Sequence, residues 1–165
     1  MKTSPLQRLL AVLELTLPAL QCAASLVIRL LFGWQFFLTG RGKLAHLERT
    51  TEFFASIPLP APAFHAVLVG SLELAGGLLL IAGLGTRAVS AALAGTMVVA
   101  YLTAHRSEAF VDLDAFMAAA PFPYLLAMVV LVAFGPGRVA IDAWILRTLR
   151  RRGCAPVETP APPLL

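Results

Sequence analysis

The sequence predicts an all-α integral membrane protein, a four-helix bundle with interfacial amphipathic helices. Three observations carry that reading. Apolar residues make up 59% of the 165 and charged residues only 13%, against about 45 to 50% and about 25% in soluble domains. Mean hydropathy is +0.83. From Ala66 to Leu84 the only polar side chains are Ser71 and Glu73, and about twenty apolar residues at 1.5 Å each match a hydrocarbon core of roughly 30 Å. The length suits one domain of about four short-looped helices and leaves no room for a large soluble catalytic module. The net charge of +4 sits mostly in the C-terminal arginines, where it reads as membrane-surface and orientation charge, so nucleic acid is rejected as a partner. Cys22 and Cys154 lie far apart and form no C-x-x-C pair, which offers neither a dithiol motif nor a disulfide framework.

Residues 1–17 carry Lys2 and Arg8 and place leucines at 6, 9, 10, 13 and 17, a helical stripe predicted to lie along the membrane interface. A signal peptide is the competing reading, but Glu14 and Pro18 interrupt its apolar region and no small-x-small cleavage site follows. A membrane domain is expected over residues 18–138. Its first span takes residues 18–38, with Arg29 near the middle. Cys22, Ser25, Arg29, Gly33, Phe36 and Gly40 share one helical face, small and polar, and therefore predicted to turn inward.

Residues 39–65 form the longest connection. Leu44, Leu47 and Phe54 oppose Lys43, Glu48 and Glu52, which predicts a short surface helix, and Pro58, Pro60 and Pro62 then impose an extended turn. The second span follows, with Gly70, Gly76 and Gly77 on the face of Glu73, where they allow a neighbouring helix to approach closely. Gly-Leu-Gly-Thr-Arg at 83–87 reads as a tight turn. The third span covers residues 88–104, with Ala92, Thr96 and Ala100 as a small-residue packing face and with Tyr101 and His105 one turn apart at its far end. Residues 106–120 are a second polar connection. The fourth span lies within residues 116–134, where Pro121 and Pro123 leave its start open. Gly135-Pro136-Gly137-Arg138 ends it, and residues 139–152 read as a basic amphipathic helix anchored at the interface by Trp144. The Pro-rich residues 153–165 are expected to be disordered.

A carboxylate at bilayer depth costs roughly 2.5 to 3.5 kcal/mol on insertion scales, so Glu73 should face protein or a watery cavity and have a partner. Arg29 is the expected partner, because antiparallel spans of similar length bring the two to similar depth. The buried pair Arg29 and Glu73 could fix helix register or handle a proton or substrate, and the residues leave both open. Arg138 and Asp142, four apart, are expected to form a helix-capping ion pair. The arginines from Arg147 to Arg152 suit anionic lipid. His46, His65 and His105 come from three separate segments with no H-x-x-x-H spacing, so no metal site is predicted. Four spans put both termini on one side. That side holds eight basic residues (Lys2, Arg8, Arg87, Arg138, Arg147, Arg150, Arg151, Arg152) against four on the other (Arg41, Lys43, Arg49, Arg106), which predicts cytoplasmic termini. The three histidines and Lys43 then fall on the outer side.

Several pieces of the chain, in this order, resemble the DoxX family of small four-helix bacterial membrane proteins. They are Arg29-Leu30-Leu31-Phe32-Gly33; Gly40-x-Gly-Lys43; Gly70-x-x-Glu73 running into Gly76-Gly77-Leu78-Leu79-Leu80-Ile81-Ala82-Gly83-Leu84-x-Thr86-Arg87; Met97-x-x-Ala100 with His105; and Gly135-Pro-Gly-Arg138 with Asp142. The family's name comes from a subunit of a thiosulfate:quinone oxidoreductase. The resemblance therefore implies a component of a quinone-linked redox system in the bacterial cytoplasmic membrane, with electrons arriving through a partner protein. Lys43, His105 and Tyr101, grouped on the outer side at the mouth of the bundle, form a candidate pocket for a quinone headgroup or a small anionic sulfur compound. Lys43 snorkelling to the interface is the plainer alternative. The sequence holds no paired cysteines, haem-attachment motif or dinucleotide fingerprint, so no cofactor is detectable and quinone is the ligand the resemblance suggests. Two further functions stay open, as does assembly into an oligomer: a non-enzymatic scaffold or assembly subunit, and a proton-coupled small-molecule transporter with Glu73 as proton carrier.

Overall fold

The computed structural model describes residues 5–57, 59–137 and 139–151, all helix and connection with no strand among them. The elements are α1 (Pro5–Ala45), α2 (Leu47–Ala55), α3 (Pro62–Ala82), α4 (Thr86–Leu102), α5 (Arg106–Ala109), α6 (Leu113–Ala118), α7 (Pro121–Phe134) and α8 (Ile141–Arg151). The four apolar blocks of the sequence correspond to α1, α3, α4 and α7. α1 packs on α3 and α7, and α4 packs on the same two, so the four close into a ring. Two of them, over Thr16–Ala45 and Pro62–Ala82, are long and apolar enough to cross a membrane, while α4 and α7 are shorter apolar helices.

The side chains are distributed as an apolar surrounding requires. Ser25, Arg29, Glu73, Thr86 and Ser90 are buried, whereas Leu31, Trp34, Leu78 and Val129 stand exposed. In water that arrangement would waste the apolar surface; facing lipid, it keeps polar groups away from hydrocarbon, with Ser25, Arg29 and Glu73 hydrogen-bonded inside. The compact core takes Phe36 from α1, Leu80 from α3, Leu93 from α4 and Ala127, Met128 and Leu131 from α7. Tyr124 receives Phe32 and Phe36 edge-on, with ring centroids 5.5 and 5.3 Å away.

Two boundaries differ from expectation, and a third that the sequence leaves open is fixed by the structure. The predicted break between residues 17 and 18 is absent, because α1 continues through Pro18. Proline there forfeits one backbone bond at an exposed position, which alters a helix without having to end it. At its other end α1 passes residue 38 and runs to Ala45, since Gly40 lies directly against the α3 backbone at Gly70 and Leu74. The fourth apolar helix starts at Pro121, with prolines in its first turn, where a missing N–H costs nothing. The polar connection over residues 106–120 holds α5 and α6, the latter capped by Asp112, whose carboxylate accepts from Ala115 N at 2.7 Å.

The turn between α3 and α4 fits its sequence. Gly83 and Gly85 have φ of 72° and 61°, a region glycine enters without a Cβ clash. Leu84 N donates to Leu79 O at 3.0 Å and Gly83 N to Leu80 O at 3.1 Å, the paired bonds of a Schellman ending.

Candidate ligand cleft

Two glycine pairs set the register of α1 against α3. A Cβ on Gly33 would stand 2.9 Å from Gly77 O, and one on Gly40 would stand 2.7 Å from Gly70 O. Gly33 therefore faces Gly77, and Gly40 faces Gly70. In this antiparallel register Arg29 lies level with the end of α3, while Glu73 lies near residues 37–40 of α1, roughly 15 Å further along.

The expected Arg29–Glu73 pair is accordingly not formed. Arg29, 2% exposed, instead gathers carbonyls: Nε donates to Leu80 O at 2.9 Å, Nη1 to Pro136 O at 2.5 Å and Val139 O at 2.9 Å, and Nη2 to Ile81 O at 3.2 Å. Leu80 and Ile81 belong to the last turn of α3, where carbonyls keep acceptor capacity that the helix itself does not fill and where the dipole favours a cation. One turn earlier, Ser25 Oγ donates to Gly135 O at 2.6 Å. One face of α1 thus ties the end of α3 to the connection between α7 and α8.

Glu73 pairs with Lys43. The Nζ to Oε2 distance is 2.5 Å, with the Glu73 side chain 4% exposed and that of Lys43 28% exposed. Lys43 reaches this position because α1 continues past Gly40, placing residue 43 one turn beyond the glycine contact on the same face.

The pair lies on the wall of a cleft of about 880 Å³, within the range of small-molecule sites. Phe36 and Tyr124 form part of its inner wall, and Phe54 and Ile57 come from α2 and the turn after it. His105 lines the same cleft, as does His65, which sequence reasoning had not assigned to a site. Tyr101 does not line it. The ring is buried at 3% exposure, its hydroxyl donates to Phe116 O at 2.8 Å, and it stacks on Phe116 with centroids 4.6 Å apart. Ala92, Thr96 and Ala100, expected to pack against another helix, line the cleft instead. Among the described residues no group of three or more His, Cys, Asp or Glu side chains is placed to hold a metal ion.

At the opposite end, Arg138 lies outside the described residues, and with it the expected Arg138–Asp142 pair. The Asp142 carboxylate accepts from Gly85 N at 2.8 Å and Thr86 N at 3.1 Å. It caps α4 from a distant part of the chain, an anion at a helix N-terminus. The connection returns over the turn, as Asp142 N donates to Gly83 O at 3.1 Å.

The glycine spacing was the signal that could have revealed Lys43 as the partner of Glu73. Gly33 and Gly40 are seven apart, as are Gly70 and Gly77, and antiparallel pairing of the two sets moves Glu73 away from Arg29. Asp142 gave no comparable signal, because its cap is purely tertiary.

Fold and site define an all-helical, membrane-associated protein with a charged pair in an apolar cleft. Residues 24–106, about half the chain, match the family model described as DoxX. The chain is 36% identical over 126 residues to the Bacillus subtilis (strain 168) protein named "Putative oxidoreductase CatD", an alignment covering 74% of this chain and 87% of that one. No solved structure shows significant similarity to it. The chain belongs to the DoxX family, and its similarity to a protein so named suggests a membrane redox-associated role.

Proposed function

We propose that this protein is the membrane component of a quinone-linked redox system. In this reading it crosses the bacterial cytoplasmic membrane four times, keeps both termini in the cytoplasm, and works with a partner that delivers electrons. The observation that carries the reading is the Lys43–Glu73 pair on the wall of an apolar cleft. A quinone headgroup is a flat apolar ring with two carbonyl acceptors. Lys43, held by Glu73 but still partly exposed, can donate to one of those oxygens, and the cleft walls enclose the ring. His105, whose ring can donate or accept a hydrogen bond, shares the cleft. The partner is expected to carry the redox centre, because the sequence contains no dithiol pair, haem-attachment motif or dinucleotide fingerprint.

Native mass spectrometry of gently solubilised protein tests this directly. Expected are one quinone per chain, a co-purifying partner, and less bound quinone in Lys43→Gln. A stoichiometric partner with no quinone would favour a scaffold role. Substrate-driven proton flux in liposomes without quinone would favour a transporter.

A further inference from the structure

We propose that the cleft is entered sideways from the membrane, through a window between α3 and α4. Its occupant is a lipid-dissolved molecule with one polar head and a linear apolar chain, the head at Lys43–Glu73 and the chain passing over Gly95. The proposal rests on the cleft being a ligand site, and it adds the route of entry, the class of chain accepted and the residues that admit it.

α3 and α4 meet close to their shared turn, where a Cβ on Gly76 would stand 3.2 Å from the Leu93 side chain. Beyond that contact the cleft lies between Leu68 and Leu72 of α3 and Ala92, Gly95 and Val99 of α4. Leu68 and Val99 line the cleft yet are 47% and 45% exposed, so they stand on its rims. Between them the wall is missing. Gly95 and Ala92 are exposed, and a Cβ on Gly95 would meet nothing within 4 Å. The small residues of α4 thus leave open space where a packed helix would require close contact.

The chemistry is ordered along the opening. At the rims the side chains are apolar or absent, matching the exposed apolar faces of the other helices, while the ion pair lies inside. A mouth meant for a water-soluble ligand would carry its polar groups outermost. This one presents apolar surface first, which suits a molecule that arrives already dissolved among acyl chains.

The test uses the full chain in lipid nanodiscs and two probes, an isoprenoid quinone and its tail-less headgroup analogue. Gly95→Phe should fold, since its side chain enters open space, and a thermal melt checks that; Ala92→Leu serves as the second window variant. Leu78→Phe, an exposed residue of α3 that does not line the cleft, is the control. Expected is a loss of about tenfold or more in affinity for the tailed probe, equivalent to roughly two methylenes leaving apolar contact, with little change for the tail-less one. Equal loss for both probes, or loss for neither, overturns the window. If the unmodified protein binds neither probe, the quinone reading fails by itself, and the route of entry is decided by a second arm. With Trp34 and Trp144 replaced by Phe, the indole of Gly95→Trp should be quenched by dibrominated acyl chains and not by aqueous iodide. Quenching by iodide alone overturns sideways entry.

Discussion

Lys43 and Glu73 form a 2.5 Å ion pair between the C-terminal end of α1 and the middle of α3, at a point where the cleft wall changes from apolar to charged. Removing one charge would leave the other in a poorly hydrated site, which for buried pairs costs about 3 to 5 kcal/mol. The partial exposure of Lys43 should bring its removal to the lower end. Glu73→Gln and Lys43→Gln are therefore each expected to lower thermal stability in detergent, and the double replacement should recover much of the loss. Additive damage would remove the coupling, because independent sites add and paired ones do not.

Arg29 makes a different prediction, since its partners are carbonyls. Arg29→Lys keeps the charge but loses the planar fork that reaches α3 and the connection after α7 together. Both Arg29→Lys and Arg29→Gln should destabilise by about 2 kcal/mol or more, as buried acceptors lose charge-assisted bonds. Full rescue by lysine would show that charge alone matters there.

Glycine replacements should split by position. A Cβ on Gly77 would lie 2.5 Å from both Gly33 O and Phe37 N, backbone atoms that move only if the two helices part. Gly77→Ala should lower folded yield sharply, as overpacking costs about 1 to 3 kcal/mol or more. On the same helix pair Gly42 would meet nothing within 4 Å, so Gly42→Ala should stabilise, by up to about 1 kcal/mol of helix propensity. Thermal melts of the two variants should move in opposite directions.

Much of the fold was legible because lipid and water impose strong, local patterns. The four apolar blocks, the glycine turn at 83–85, and the clustering of Lys43, His65 and His105 toward one end follow from hydropathy and strict up-and-down order. Register was misjudged because matching span centres measures depth only to within several residues. The Gly33, Gly40, Gly70 and Gly77 spacing is finer and was read only as permission for close approach. Ala92, Thr96 and Ala100 show a second limit: small residues can admit a helix or leave a cavity, and only the way α4 packs between α3 and α7 decides which. The cap from Asp142 to Gly85 and Thr86 spans more than fifty residues and has no local periodicity to betray it.

The orientation prediction follows from the eight-to-four distribution of basic residues. Single cysteines placed at positions 46 and 105 should react with an impermeant reagent in intact cells, and one at 151 should not. The reverse pattern would invert the topology while leaving the helix packing untouched.

His105 and Tyr101, one turn apart in sequence, separate the cleft from the scaffold. His105 lines the cleft and is partly exposed, so His105→Gln should hold thermal stability within about 0.5 kcal/mol, the usual range for a surface replacement. Any ligand that meets the His105 ring should bind more weakly, because glutamine offers a different hydrogen-bonding geometry and no ring to pack. Tyr101→Phe keeps the stacking on Phe116 but deletes the hydroxyl that donates to Phe116 O. That leaves a carbonyl short of a donor and should cost about 1 to 2 kcal/mol of stability, with ligand affinity unchanged. Quinone titration and thermal melting of the two variants check both halves together. If Tyr101→Phe weakened binding and His105→Gln did not, the cleft boundary drawn between these residues would have to move.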